Sequence, residues 1–119
     1  MNKRFVGSEY ENLAVKYLEN QDYKIIEKNF YCRNGEIDII ARNEGYLCFI
    51  EVKYRSGKGY GTPEEAVDYR KQKKIYECAR FYMHSHKYST DTPCRFDVVS
   101  IEGEIIKVYK NAFDVYGVF

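Results

Sequence analysis

Asp38 is followed, thirteen positions later, by Glu51-Val52-Lys53. Both acids lie in segments that are otherwise strongly apolar. The intervening Asn43-Glu44-Gly45 is a turn signal, so the two segments read as a β-hairpin. If the chain turns at Glu44-Gly45, Asn43 pairs with Tyr46, and Asp38 then falls opposite Glu51. Cross-strand partners project to one face with Cβ atoms roughly 5 Å apart. Alternation along a strand brings Glu36 onto that face beside Asp38, and Lys53 beside Glu51. Like charges placed opposite each other are destabilising, and a half-buried acid pair is costly unless something neutralises it. A divalent cation would do so. Mg²⁺ takes one or two carboxylates, waters and substrate phosphate oxygens, and the Val52 carbonyl could complete its shell. Lys53 would stand beside the metal, where an ammonium can orient a water or offset charge in a transition state. That is the equipment of phosphodiester hydrolysis. The alternative is a salt-bridge ladder in which Asp38 and Glu51 pair with Lys53, Arg55 or Arg33. The residues alone leave both readings open.

The elements that must position these groups follow from the pattern. Ser8 and Glu11 have the form of a capping box, and Tyr10, Leu13, Ala14, Tyr17 and Leu18 recur at helical spacing. A helix from Ser8 to about Asn20–Asp22 is expected, then a short strand within Tyr23–Phe30. The strand Tyr46–Tyr54 is apolar on both faces, with Leu47 and Phe49 on one and Cys48, Ile50 and Val52 on the other. Such a strand belongs in the middle of a sheet covered on both sides. Thr62-Pro63-Glu64-Glu65 carries the signals of a helix start, and Ile75, Ala79, Tyr82 and Met83 extend its buried stripe to about residue 84. Arg95–Ile101 and Glu104–Tyr109 are strands around a Glu102-Gly103 turn. The order predicts a single α/β domain: a mixed sheet with helices packed on it.

The chain has 119 residues, enough for one hydrophobic core without metal or disulfide staples. Its net charge of +1 gives no long-range attraction for nucleic acid, so phosphate contacts must come from a local patch. Lys53, Arg55, Lys58, Arg70, Lys71, Lys73 and Lys74 supply one, against Glu64, Glu65 and Asp68. With Arg33 they could grip phosphates without reading bases, and Tyr60 in the Gly57–Thr62 loop could stack on a base. The ordinary alternative is a solvated helix face. Most of the 13 tyrosines are expected to finish a small core. Cys32, Cys48, Cys78 and Cys94 have no metal-ligand spacing and are expected to be reduced thiols, which suits a cytoplasmic protein. No apolar stretch is long enough to span a bilayer. His84 and His86 read as solvated residues near a helix end. Asp97 is expected to pair with Arg95 or cap a loop rather than join the acid pair.

Five runs, V-G-S-E-Y-E-N-L-A-V-K-Y-L, N-F-Y-C-R-N-G-E-I-D-I-I-A, C-F-I-E-V-K-Y-R, G-T-P-E-E-A-V-D-Y-R-K-Q-K-K-I and R-F-D-V-V-S-I, resemble the YraN family of small bacterial proteins. The likeness extends from Gly7 to about Ile101. It implies a restriction-endonuclease-like fold, similar to archaeal Holliday junction resolvases, and an endonuclease dependent on Mg²⁺ or Mn²⁺. By position it makes Asp38 and Glu51 metal ligands and Lys53 the catalytic lysine. It further implies Glu9 as a helical glutamate completing the acidic site, and Gln72 as a site residue on the following helix. DNA is the expected partner, and junction cutting would require a homodimer. A nucleic-acid clamp that keeps the fold without cutting is the alternative. The family often has Gly-Tyr after the first helix where this chain has Asp22-Tyr23.

Overall fold

The computed structural model describes residues 3–33, 35–55 and 67–114, with side chains beginning at residue 9 and excluding that of residue 55. Helix α1 runs Lys3–Asn20, followed by strands β1 (Lys24–Cys32), β2 (Gly35–Asn43) and β3 (Tyr46–Arg55), helix α2 (Tyr69–Ser85), and strands β4 (Cys94–Glu102) and β5 (Ile105–Tyr109). The five strands form one sheet in the order β1-β2-β3-β4-β5. Only β3 and β4 are parallel, and the connection between them passes through α2, as parallel neighbours require. The mixed α/β sheet with helices expected from the sequence, consistent with a restriction-endonuclease-like fold, is therefore the fold observed.

β3 is central and buried on both faces because each face meets a helix. Leu47 and Phe49 join Ile75, Cys78, Ala79 and Tyr82 of α2. Cys48 and Ile50 join Ala14 and Leu18 of α1. Glu44 and Gly45 both have positive φ, 53° and 84°, as a two-residue hairpin turn needs. Asn43 pairs with Tyr46, and the ladder continues regularly to Ile39 and Ile50. Asp38 and Glu51 lie one step further on. Across the other side of β2 the register passes from Lys28–Ile39 to Phe30–Ile37, skipping Asn29 and Asp38. Asn29 is in the left-handed region there, with φ of 54°, which an asparagine tolerates better than most residues.

Two helix boundaries differ from expectation. α1 continues back through Ser8 to Lys3, so Ser8 is no cap. α2 starts at Tyr69, with Asp68 as its N-cap accepting from the Lys71 N–H at 2.8 Å. The Thr62–Glu65 signal lies outside the described residues. Asp22 has φ of 67°, so the residue that departs from the family's glycine occupies a conformation glycine would favour.

The cysteine expectation is corrected. Cys32, at the end of β1, and Cys78, in the middle of α2, are joined in a disulfide with Cα atoms 5.6 Å apart. The packing of β1 and β2 against α2 brings them into bonding reach, which a separation of 46 residues could not announce. Cys48 and Cys94 are free. Reducing the bond is expected to lower unfolding free energy by about 2–4 kcal/mol. Urea titration of the oxidised protein with and without dithiothreitol checks this, and Cys32→Ser should lose all sensitivity to the reductant.

A buried polar network closes the end of the sheet at the β2–β3 turn. Asp97 is fully buried and accepts from Arg95 Nε at 2.9 Å, the Tyr23 hydroxyl at 2.8 Å and the Asn111 N–H at 2.9 Å. Arg95 also donates to Asn43 Oδ1 at 2.7 Å and to the Tyr23 oxygen at 3.0 Å. The expected Asp97–Arg95 pair is thus present, and it ties α1's exit, the hairpin turn, β4 and the end of β5 together.

Candidate nuclease-type site

The site lies at the opposite end of the strand pair, where β2 begins and β3 ends. Asp38 Oδ2 accepts a 2.8 Å hydrogen bond from the Val52 backbone N–H. Asp38 lies just beyond the last β2–β3 pair, Ile39–Ile50, where its side chain takes the Val52 N–H across the hairpin. Burial pushes the Asp38 carboxyl up to about 8, with the Glu51 charge adding to the effect and the Val52 N–H opposing it. Glu51 is only 5% exposed. Its Oε1 lies 3.7 Å from Lys53 Nζ and 2.5 Å from Lys71 Nζ. Burial also depresses Lys53, and the neighbouring Lys71 ammonium depresses it further. Burial opposes charge on Lys71 too, but the Glu51 carboxylate outweighs it and holds Lys71 above its ordinary value.

The helical glutamate that meets these acids is Glu11. Burial raises its carboxyl, and Glu36 and Glu51 raise it further. Its Oε1 is buried without a hydrogen-bond partner. Glu9 is exposed. Two positions along a helix turn a side chain by about 200°, so both glutamates cannot face the same site. The signal for Glu11 was present: it stands three and seven positions before Ala14 and Leu18, on the buried stripe. Reading it as a capping-box residue hid that.

Gln72 is committed to the helix entrance, where Nε2 donates to the Val67 carbonyl at 2.8 Å. Lys71 meets Glu51 directly, while Arg33, Arg70, Lys73 and Lys74 are exposed. The Arg55 side chain, Lys58 and Tyr60 lie outside the described residues. A groove of about 610 Å³ on the outer side of α2, lined by Tyr76, Phe81, Tyr88 and Cys94 among others, contains none of the acids.

Two observations fit a divalent cation here: Glu11 has a buried oxygen with no hydrogen-bond partner, and Asp38 lies close enough to Glu51 and Glu11 for their charges to add to the rise that burial imposes on its carboxyl. Among the described residues, however, no group of three or more acids, histidines or cysteines is already gathered at metal-binding distance. Lys71 sits on Glu51 instead. Metal entry would require that ammonium to move aside.

The raised Asp38 carboxyl has a stability consequence. Its folded value of about 8 exceeds the unfolded 3.8, so between those limits the folded protein binds more protons than the unfolded one. Its contribution is fully present below pH 3.8 and is lost as pH rises through about 8. Asp38→Asn mimics the protonated form. In urea titrations of metal-free protein, the variant should match wild type at pH 3 and become progressively the more stable between pH 4 and pH 8. Parallel pH curves for the two proteins would remove the shift.

An acid–acid–lysine end on a mixed sheet with helices on both faces defines the class: an α/β protein of restriction-endonuclease-like architecture. The sequence model described as "Uncharacterised protein family UPF0102" matches residues 10–101. The chain belongs to that family, the YraN family of the sequence resemblance. A UPF0102 protein of Lachnoclostridium phytofermentans is 49% identical over 117 residues, covering 98% of this chain and 99% of its own. One from Acetivibrio thermocellus is 47% identical over 122 residues, covering 94% and 93%. Another from Persephonella marina is 44% identical over 109 residues, covering 92% and 93%.

Proposed function

We propose that this protein is a metal-dependent endonuclease that hydrolyses DNA phosphodiester bonds at branched or recombination intermediates. The observation that carries the reading is the joining of Asp38 and Glu51 to Lys53 at one end of an apolar strand pair. That acid cluster carries a buried, unpartnered Glu11 oxygen and an Asp38 carboxyl raised by burial and by the Glu51 charge, both of which a cation would relieve. Asp38, Glu51, Glu11 and the Val52 carbonyl would hold Mg²⁺ or Mn²⁺. The bound ion would supply Lewis-acid activation of the phosphate and of a water.

This chain's own residues do the rest. Lys53 holds the attacking water through one N–H and offsets charge gathering on the phosphoryl oxygens. The water oxygen forms the new P–O bond as the bond to the leaving sugar oxygen breaks; the water gives a proton to solvent, and the leaving oxygen takes one from solvent to depart as a hydroxyl. Lys71 leaves Glu51 for a substrate phosphate, exchanging one anion for another. Lys73 and Arg33 add phosphate contacts that carry no base information. Cutting both strands of a junction needs two such sites, so a homodimer is part of the proposal. A cytoplasmic location fits a DNA substrate, and no described helix is long and apolar enough to cross a membrane.

Incubation with labelled duplex, single strand, flap, four-way junction and RNA, with and without Mn²⁺, tests the reading. Metal-dependent cutting of a DNA substrate is the expected result. Binding without cutting in any metal would make the protein a nucleic-acid clamp.

A further inference from the structure

The Cys32–Cys78 disulfide joins the two elements whose contact closes the candidate metal site. Cys78 follows Lys71 by two turns of α2, about 10 Å along the axis, so the two side chains leave the same side of the helix. Lys71 reaches Glu51, and Cys78 reaches Cys32. Cys32 ends β1 and pairs with Gly35, which opens β2 just before Glu36 and Asp38. This hairpin tip lies against α2: a Cβ at Gly35 would stand 3.6 Å from Lys74 Cβ and 3.9 Å from Cys78 Sγ. One covalent bond therefore ties the strand end that carries the acids to the helix that carries the ammonium lying on them.

The half of α2 nearest the site is otherwise weakly held. Val67 is buried before the helix, and the helix's own buried residues begin at Ile75. Between Tyr69 and Lys74 only Lys71 and Gln72 are half-buried, and the others are exposed. A stretch with few buried apolar contacts opens locally at low cost. The bond at Cys78 opposes that opening and keeps Lys71 seated.

The bond is also within reach of a reductant. Cys78 is fully buried, but Cys32 is half-buried and lines a groove of about 430 Å³ with Tyr31, Arg33, Glu77 and Phe81. A dithiol entering this groove attacks Cys32 Sγ as its thiolate. The Cys32–Cys78 bond breaks, and Cys78 leaves as a thiolate and takes a proton. The reductant's second thiol then displaces Cys32 from the mixed disulfide. The protein gains two electrons and two protons, and the dithiol becomes a disulfide. A DNA substrate places the protein where thiols are kept reduced, and disulfides there are transient or redox-sensing rather than permanent staples.

We propose that the Cys32–Cys78 bond is a redox clamp on the candidate metal site. While it is closed, Lys71 stays on Glu51 and keeps a cation out; opening it frees the ammonium and admits the metal. The metal half of this inference rests on the nuclease reading, whereas the hold on Lys71 can be measured with no metal present.

The test uses the full chain without DNA, oxidised with glutathione disulfide or reduced with a phosphine. Mn²⁺ affinity, measured by calorimetry, should rise about tenfold on reduction, within the range by which two sites in one protein are coupled. In metal-free protein, acetylation of Lys71 by an active ester, scored by mass spectrometry against exposed Lys73, should rise on reduction as well. Cys32→Ser should match reduced wild type under both conditions. Lys71→Ala should bind Mn²⁺ with one affinity in both redox states, because the blocking group is gone. Equal labelling of Lys71 in oxidised and reduced wild type overturns the clamp, and so does a redox difference in Mn²⁺ affinity that persists in Lys71→Ala. The two readings fail separately. Redox-dependent labelling of Lys71 with Mn²⁺ bound in neither state leaves the hold on Lys71 and removes the metal-dependent nuclease. Equal Mn²⁺ binding in both states leaves the nuclease and removes the clamp.

Discussion

Lys53→Ala should slow metal-dependent cleavage by about 10²–10³-fold, the loss expected when one preorganised donor at a developing charge is removed. The fall should appear equally in kcat and kcat/KM, because the group acts in the transition state and not in binding. Folding should be little affected. Lys53 touches Glu51 at 3.7 Å and is 29% exposed, and Glu51 keeps its shorter contact with Lys71; partly exposed ion pairs contribute about 0–1 kcal/mol. Lys53→Arg tests the compactness of the charge, since a planar guanidinium cannot place a donor as an ammonium does. Single-turnover rates on the preferred substrate, with melting temperatures alongside, decide the matter. A variant that cuts as fast as wild type would reduce Lys53 to a salt-bridge residue. A variant that has lost stability in proportion to its rate would do the same.

Asp97→Asn carries the largest expected effect on stability, about 3–5 kcal/mol, because it leaves the buried Arg95 guanidinium without its counter-charge. At roughly 4 °C per kcal/mol for a domain of this size, melting should fall by roughly 12–20 °C. The asparagine keeps the shape but has one acceptor oxygen, whereas the Tyr23 hydroxyl and the Asn111 N–H donate to different oxygens of Asp97, so one of them loses its acceptor as well. The deficit therefore combines the lost counter-charge with one lost acceptor. Replacing both partners with apolar residues, as Asp97→Leu with Arg95→Met, should cost much less, since no charge is then left buried. Differential scanning calorimetry and urea midpoints check both variants. A loss below 1 kcal/mol in Asp97→Asn would mean that solvent reaches Arg95 in the folded protein.

Much of the site was legible in the chain because it depends on short-range rules. The Glu44-Gly45 turn sets the hairpin register, and the register sets which residues share a face. Asp38, Glu51 and Lys53 follow from that single count. The double-sided apolar pattern of Tyr46–Tyr54 likewise marked β3 as central. Misreadings arose where a local signal competed with packing. Ser8 and Glu11 fit a capping box, yet α1 begins at Lys3 and Glu11 faces the acids. A cap is stabilised by about 1 kcal/mol, too little to end a helix that tertiary contacts extend.

The amino-acid sequence by itself determined the strand and helix order, the hairpin and the two acids with their lysine, because each rests on a period or a turn spanning a few residues. Only the tertiary structure decided which helical glutamate joins them, that Lys71 rather than a more distant cation lies on Glu51, and that Cys32 meets Cys78. All of these depend on how α1 and α2 sit on the sheet. That docking comes from many small apolar contacts made together, and no local spacing in the chain encodes it.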